Sequence, residues 1–191
     1  MKQIPLLPLL VAIALNASAQ QITLGLKAGP QISTVTDVND GKSAFRYHFG
    51  AFAAVGLSER LSGQAELQFS AQGVNDKDSD YFKQRNNYLT LPLTVKYRVW
   101  NGLSAHAGFQ LEYLLQAKIK DTRDDFESDR KEDYNKAELG LVLGAEYRVI
   151  PKLSVGMRMN LGLTEVFKDY DGHKQRVFQL FAAYDLADLH L

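Results

Sequence analysis

The sequence predicts an all-β protein: an eight-stranded antiparallel up-and-down transmembrane β-barrel with a filled polar lumen. Three observations carry that expectation. Apolar and polar residues alternate over segments of about a dozen residues. Short and long connections between those segments take turns along the chain. Charge and glycine gather on one face of the alternating segments and leave the other face apolar.

The chain opens with Lys2, an apolar run of 12 residues from Ile4 to Leu15, and the small-x-small pattern Ala17-Ser18-Ala19. Residues 1–19 are therefore expected to be a cleaved signal peptide, and residues 20–191 the barrel domain. A membrane-anchoring helix fits this run less well, because spanning takes about 20 apolar residues and Pro5 and Pro8 interrupt it. No later stretch reaches that length, so insertion into a membrane has to be by strands.

Strands are expected at 22–33, 44–57, 61–72, 88–99, 103–115, 137–149, 153–164 and 176–186. The third is the clearest: Leu61, Ala65, Leu67, Phe69 and Ala71 alternate with Ser62, Gln64, Glu66, Gln68, Ser70 and Gln72. Tight turns around Ser58-Glu59-Arg60, Trp100-Asn101-Gly102 and Ile150-Pro151-Lys152 join strands two to three, four to five and six to seven. Polar stretches at 34–43, 73–87, 116–136 and 165–175 fill the other ends. Short periplasmic turns and longer external loops give this pattern, with both termini on the short-turn side.

Alternation alone does not separate a membrane barrel from a soluble, lipocalin-like one with its apolar face inward. The apolar face, from Ile22, Leu24 and Leu26 through Phe178, Leu180, Ala182 and Tyr184, is read as free of charge. Opposite it stand Lys27, Arg46, Glu66, Lys96, Arg98, Glu112, Glu138, Glu146, Arg148, Arg158 and Asp185, six positive and five negative side chains. A Lys or Arg on the lipid face near the midplane costs roughly 2–4 kcal/mol, so a bilayer selects such segregation. Nine of the 14 glycines fall on the polar face within strands, and only Gly63 lies on the apolar one. Strand glycines mark close approach or tight bends, and an eight-stranded barrel is just wide enough for side chains to fill its interior. The polar face is therefore placed inside, with the glycines making room for long charged side chains that pair with one another. Phe45, Tyr47, Tyr97, Trp100, Tyr113, Tyr147 and Tyr184 are placed on the outward face or near strand ends, where an interfacial girdle belongs.

The composition excludes several functions. With 46% hydrophobic and 23% charged residues the chain is too apolar for intrinsic disorder. Lys plus Arg and Asp plus Glu stand at 22 each, leaving no basic surplus for nucleic acid. Cysteine is absent, which removes disulfides, thiolate metal sites and cysteine nucleophiles. His48 and His106 are expected in the lumen on separate strands, as members of its polar network and not as metal ligands, since zinc sites take three or four ligands. No Ser/His/acid set is reachable from the lipid face, so no enzymatic activity is expected. The most charged segment, 116–136, holds Asp121, Asp124, Asp125, Glu127, Asp129, Glu132 and Asp133 without the spacing of an EF-hand loop, and is read as a solvated loop. No catalytic, cofactor or metal site is assigned. The residues singled out are the lumen network: Lys27, Arg46, His48, Glu66, Lys96, Arg98, His106, Glu112, Glu138, Glu146, Arg148 and Arg158.

Several segments resemble one known family. Leu24-Gly25-Leu26-Lys27-Ala28-Gly29-Pro30-Gln31-Ile32-Ser33 and Tyr88-Leu89-Thr90-Leu91-Pro92-Leu93-Thr94-Val95-Lys96-Tyr97 resemble stretches of the PorT-like outer-membrane β-barrel proteins of Bacteroidetes. So do Ala107-Gly108-Phe109 with Tyr113-Leu114-Leu115, Leu139-Gly140-Leu141-Val142-Leu143-Gly144-Ala145 and Leu161-Gly162-Leu163-Thr164. The resemblance implies a barrel in the bacterial outer membrane, in contact with its lipid and with the barrel insertion machinery. In one respect the chain departs from such barrels, which finish on an aromatic residue: its last strand passes Phe181 and Tyr184 and runs on to Leu191. Three functions follow as expectations: a non-enzymatic barrel with a structural, adhesive or surface-interaction role carried by its loops; an accessory of an envelope secretion or transport machine with protein partners; or a soluble ligand-binding barrel.

Overall fold

The computed structural model describes residues 21–36, 41–76, 82–121, 126–129, 131–166 and 173–190. The segment expected as a signal peptide lies outside the described residues. Among the described residues there are nine strands: β1 (Gln21–Val35), β2 (Gly41–Gly56), β3 (Leu61–Asp76), β4 (Phe82–Arg98), β5 (Leu103–Asp121), β6 (Phe126–Asp129), β7 (Ala137–Ile150), β8 (Leu153–Gly162) and β9 (Gln175–His190). Eight of them form one closed antiparallel barrel: each pairs with the next in the chain, β5 with β7 across the short β6, and β9 returns to β1. Closure removes every free edge, which a bilayer demands of strands that cross it. The ninth strand, β6, pairs only with the far end of β5, Lys118–Asp121 against Phe126–Asp129. Half of the loop expected at 116–136 is thus a hairpin, followed by a 3-10 turn at Lys131–Asp133.

Alternation dictates which way each side chain points. Leu26, Leu67, Phe109, Leu143 and Met157 are exposed on the outside, whereas Lys27, Glu66, Gln68, Gln110 and Arg158 are buried within. A soluble barrel with its apolar face inward is therefore ruled out. The outward belt from Leu89 to Tyr97 on β4 spans roughly 23 Å along the barrel axis at the usual strand rise and tilt, the height of a hydrocarbon core. Outward charge is not wholly absent: Arg85 and Arg176 are exposed at the loop-side ends of β4 and β9, beyond that belt. Tyr97, Trp100, Tyr147 and Tyr184 ring the turn end, while Phe45, Tyr47 and Tyr113 stand outward toward the loop end. Above the belt β4 and β5 remain paired from Phe82↔Asp121 down to Asn87↔Gln116, so a ribbon rises roughly 15 Å beyond the hydrocarbon.

Four register shifts among the described residues interrupt a strict period of two, two of them at Ser43–His48 on β2 and Arg148–Ile150 on β7. Asn87 pairs with Gln116 and Tyr88 with Leu114, leaving Leu115 as an extra residue. The bulge turns Ala117 inward on the same side as Leu114. Another falls at Leu186, between the pairs Leu24↔Ala187 and Gly25↔Asp185.

The inner glycines have a different cause from the one expected. A Cβ on Gly29, Gly50 or Gly108 would come within 1.9, 2.2 and 2.0 Å of the carbonyl oxygens of Leu180, Leu67 and Leu93. Those positions admit the backbone of the neighbouring strand where a narrow barrel coils tightly. At Gly25 and Gly156 the space goes to aromatic rings: a Cβ would lie 2.3 Å from Cζ of Phe52 and 2.5 Å from Cζ of Phe181. Polar lumen side chains are also close at some of these positions: a Cβ on Gly144 would come 2.5 Å from Nε2 of His106, and one on Gly50 2.8 Å from Cγ of Gln68.

Candidate functional site

The interior is stacked in tiers along the barrel axis. At its centre Glu66 on β3 accepts hydrogen bonds through Oε1 from Nζ of Lys27 on β1 at 2.9 Å, Nη2 of Arg158 on β8 at 2.6 Å and Nε2 of Gln64 at 2.8 Å. Its other oxygen accepts from the amide of Gln68. Both ion pairs are essentially sealed from solvent, with side-chain exposures of 1% or less. Two inward rings close over this hub: Nζ of Lys27 lies 4.4 Å from the centroid of Phe181 and 5.8 Å from that of Phe52, and Cζ of Arg158 lies 5.5 Å from Phe181. A ring face attracts a cation most where water is excluded, so the two phenylalanines stabilise charges that burial opposes. Phe52 also lines the turn-side mouth, together with Gln64 of the hub.

Toward the loops the lumen becomes an amide ladder. Gln179 donates to Oε1 of Gln31 at 2.8 Å, and Gln31 donates to Oγ of Ser70 at 2.9 Å. The side-chain amide of Gln72 donates to Oε2 of Glu112 at 2.9 Å and receives a bond from Gln175. Gln110 reaches Oε1 of Glu112 at 2.8 Å, and the hydroxyl of Tyr88 donates to Oε1 of Glu138 at 3.0 Å. Above this ladder the lumen is stopped by an apolar cluster of Val35, Tyr88, Leu114, Ala117, Tyr134 and Val166.

At the turn end the lumen is open. A cavity of about 360 Å³ is lined by Arg60, Lys96, Arg98, Glu146, Arg148 and Asp185 among others. Lys96 pairs with Glu146 at 2.6 Å, and Arg148 with Asp185 at 2.9 Å.

The residues singled out from the sequence therefore separate into groups. Lys27, Glu66 and Arg158 meet at the hub. Lys96 and Glu146 join across the mouth, and Arg148 sits there too with its side chain half exposed. Arg98 lines the mouth but is exposed, without a carboxylate partner among the described residues. Arg46 lies apart at the loop end of β2, donating from Nη1 to the carbonyl of Phe45 at 3.3 Å. Glu112 and Glu138 belong to the amide ladder. His48 and His106 are buried on β2 and β5, and neither ring nitrogen of either meets a hydrogen-bond partner among the described residues. His106 packs 6.2 Å from Phe181, centroid to centroid.

Phe52, Phe181, Tyr88 and Leu114 escape a reading that assigns apolar residues to lipid. A signal for two of them lies in the register: Gly25 is the cross-strand partner of Phe52, and Gly156 that of Phe181. An aromatic residue of inward parity opposite an inward glycine marks a ring that fills the lumen.

The model of a family described as outer membrane protein beta-barrel domain matches residues 16–168. The chain belongs to that family. Membership places this barrel in the bacterial outer membrane, where its apolar belt meets lipid. Among solved structures the family member is similar to Ail, the attachment invasion locus protein of Yersinia pestis, with a TM-score of 0.51 at 10% identity over 87% of this chain and 98% of that one. It is also similar to Neisserial surface protein A, with a TM-score of 0.54 at 11% identity over 86% and 97% of the two chains. At such identities the likeness is one of fold. No curated protein matches this outer membrane barrel in sequence.

Proposed function

We propose that this barrel is a non-enzymatic surface protein whose work is done by its loop end, in a structural or adhesive role, with the barrel serving as a rigid anchor. The observation that carries the reading is the filled lumen. Among the described residues the Lys27–Glu66–Arg158 hub and the apolar cluster above it fill the bore with buried side chains, while the β4–β5 ribbon with β6 rises beyond the membrane. A molecule whose axis is filled acts at its ends. Ail is by its name an attachment protein, and a structure of it holds the heparin analogue sucrose octasulfate; an attachment role here is consistent with sharing its fold. In the same reading residues 1–19 are a leader removed on export.

A second reading, an accessory of an envelope machine of the PorT-like kind, is supported by the Tyr88–Tyr97 stretch and by the charged mouth at the turn end, which faces the periplasm in barrels of this topology.

The deciding experiment compares cells making the intact protein with cells making a form in which residues 117–133 are replaced by a short Gly-Ser turn. Heat-modifiable gel migration is expected to persist, showing a folded barrel, while adhesion to matrix-coated surfaces falls. Unchanged adhesion would defeat the surface reading. Stoichiometric recovery of an envelope protein by crosslinking from native membranes, lost on Arg98→Ala, would establish the second reading instead.

A further inference from the structure

We propose that the loop half of the lumen is a binding site for a divalent cation of the calcium type, held by Glu112 and Glu138 together with neutral oxygens of Thr90 and Gln110.

Glu112 on β5 and Glu138 on β7 are direct cross-strand partners on the inner face, 5% and 4% exposed. Side chains so opposed have Cβ atoms about 4.5–5.5 Å apart, where like charges repel. Every hydrogen bond they receive comes from a neutral group: Gln72 and Gln110 on Glu112, the Tyr88 hydroxyl on Glu138. The other buried acids differ, since Glu66 meets Lys27 and Arg158, and Glu146 meets Lys96. Neutral donors orient a carboxylate without cancelling its charge, and a buried charge with no counter-charge is costly.

An independent observation points to what fills the gap. Among the described residues Oγ1 of Thr90 and Oε1 of Gln110, like several other lumen atoms, are buried without a hydrogen-bond partner, and here they stand beside the paired acids on residues each 1% exposed. Thr90 is the cross-strand partner of Glu112 on β4, and Gln110 already holds Glu112 through its amide nitrogen. Glu112 and Glu138 thus oppose each other across β5 and β7, Thr90 stands beside Glu112 on β4, and Gln110 lies two residues before Glu112 on the same inner face of β5. Water would satisfy the orphans but leave the two negative charges; a divalent cation answers both. An all-oxygen set selects hard cations. Its irregular spread over three strands suits calcium, which takes six to eight flexible oxygen ligands, better than magnesium, which demands near-ideal octahedral geometry.

The test uses the mature chain refolded in detergent micelles, with terbium and then calcium as probes. Terbium emission excited through the Tyr88 phenol should saturate at one ion per chain and be displaced by calcium more readily than by magnesium. Glu112→Gln and Glu138→Gln should each weaken binding by more than roughly 100-fold, and Thr90→Val by roughly tenfold. Tyr88→Phe should remove the emission yet keep the rise in urea midpoint that calcium produces. Because Gln relieves the repulsion, the double Gln variant should be more stable than the parent in chelator and indifferent to calcium. Emission unchanged in the double variant would place the ion elsewhere and overturn the site. So would a parent protein that ignores calcium and shows the infrared band of a protonated carboxyl, since the two acids would then share a proton.

Discussion

In the turn-side half of the lumen each buried acid faces a cation: Lys27 and Arg158 on Glu66, Lys96 on Glu146. The loop-side half has no such pair among the described residues; Gln31, Ser70, Gln72 and Gln179 carry their hydrogen bonds sideways from strand to strand, and Gln110 along β5, under an apolar cap. Both halves fill the same narrow bore, yet they divide the energetic risk differently. A buried ion pair adds little net stability over a well-packed apolar core, but breaking it strands the remaining charge. An amide ladder loses one neutral bond at a time. The turn half should therefore be brittle and the loop half forgiving.

Glu66→Ala tests the brittle half most directly. It leaves Lys27 and Arg158 buried without an anion and should cost about 3–5 kcal/mol, measured as a fall in the urea midpoint of the micelle-folded protein; a cost below that of any single amide loss would reverse the contrast. Leu67→Arg leaves the lumen intact and attacks the belt instead. It should cost roughly 2–4 kcal/mol and impair insertion into vesicles, and equal tolerance of Leu67→Arg and Leu67→Met would contradict the facing of β3. Gln31→Leu probes the ladder: Ser70 and Gln179 each lose a partner, and the expected loss is about 1–3 kcal/mol, read on the same urea scale. The smallest effect belongs to the mouth. Arg148, its side chain 48% exposed, pairs with Asp185 where water screens both, so Arg148→Ala should cost under about 1 kcal/mol. Salt should shrink that difference, and a larger loss that ignores ionic strength would show the pair to be effectively buried.

The strands and their facing were legible because a side-chain period of two is a local property: Gln64, Glu66, Gln68 and Ser70 declare one face of β3 without any knowledge of its neighbours. The meeting of Lys27, Glu66 and Arg158 was not, because height along the axis depends on the stagger between strands, which alternation leaves undetermined. Tyr113-Leu114-Leu115 hid the bulge for a related reason: three apolar residues in a row read equally well in either register, and only the pairing of Asn87 with Gln116 shows which one is extra. Arg46 and Arg98 have the inward parity of network members, but they lie near the two ends of the bore, where no described carboxylate reaches them. Glu112 and Glu138 were legible as inward acids, while their opposition across β5 and β7 required the register.

The hub joins strands that are not neighbours. Lys27, Glu66 and Arg158 come from β1, β3 and β8, with 39 and 92 residues separating Glu66 from its two cations. A partly assembled sheet lacking β8 would carry a lysine and a glutamate with no guanidinium to complete them, and hydrocarbon on the side where the bore should be. Such an intermediate is penalised until the last strands arrive. The central carboxylate thereby works as a proofreader of assembly, rewarding the cylinder only once it is shut.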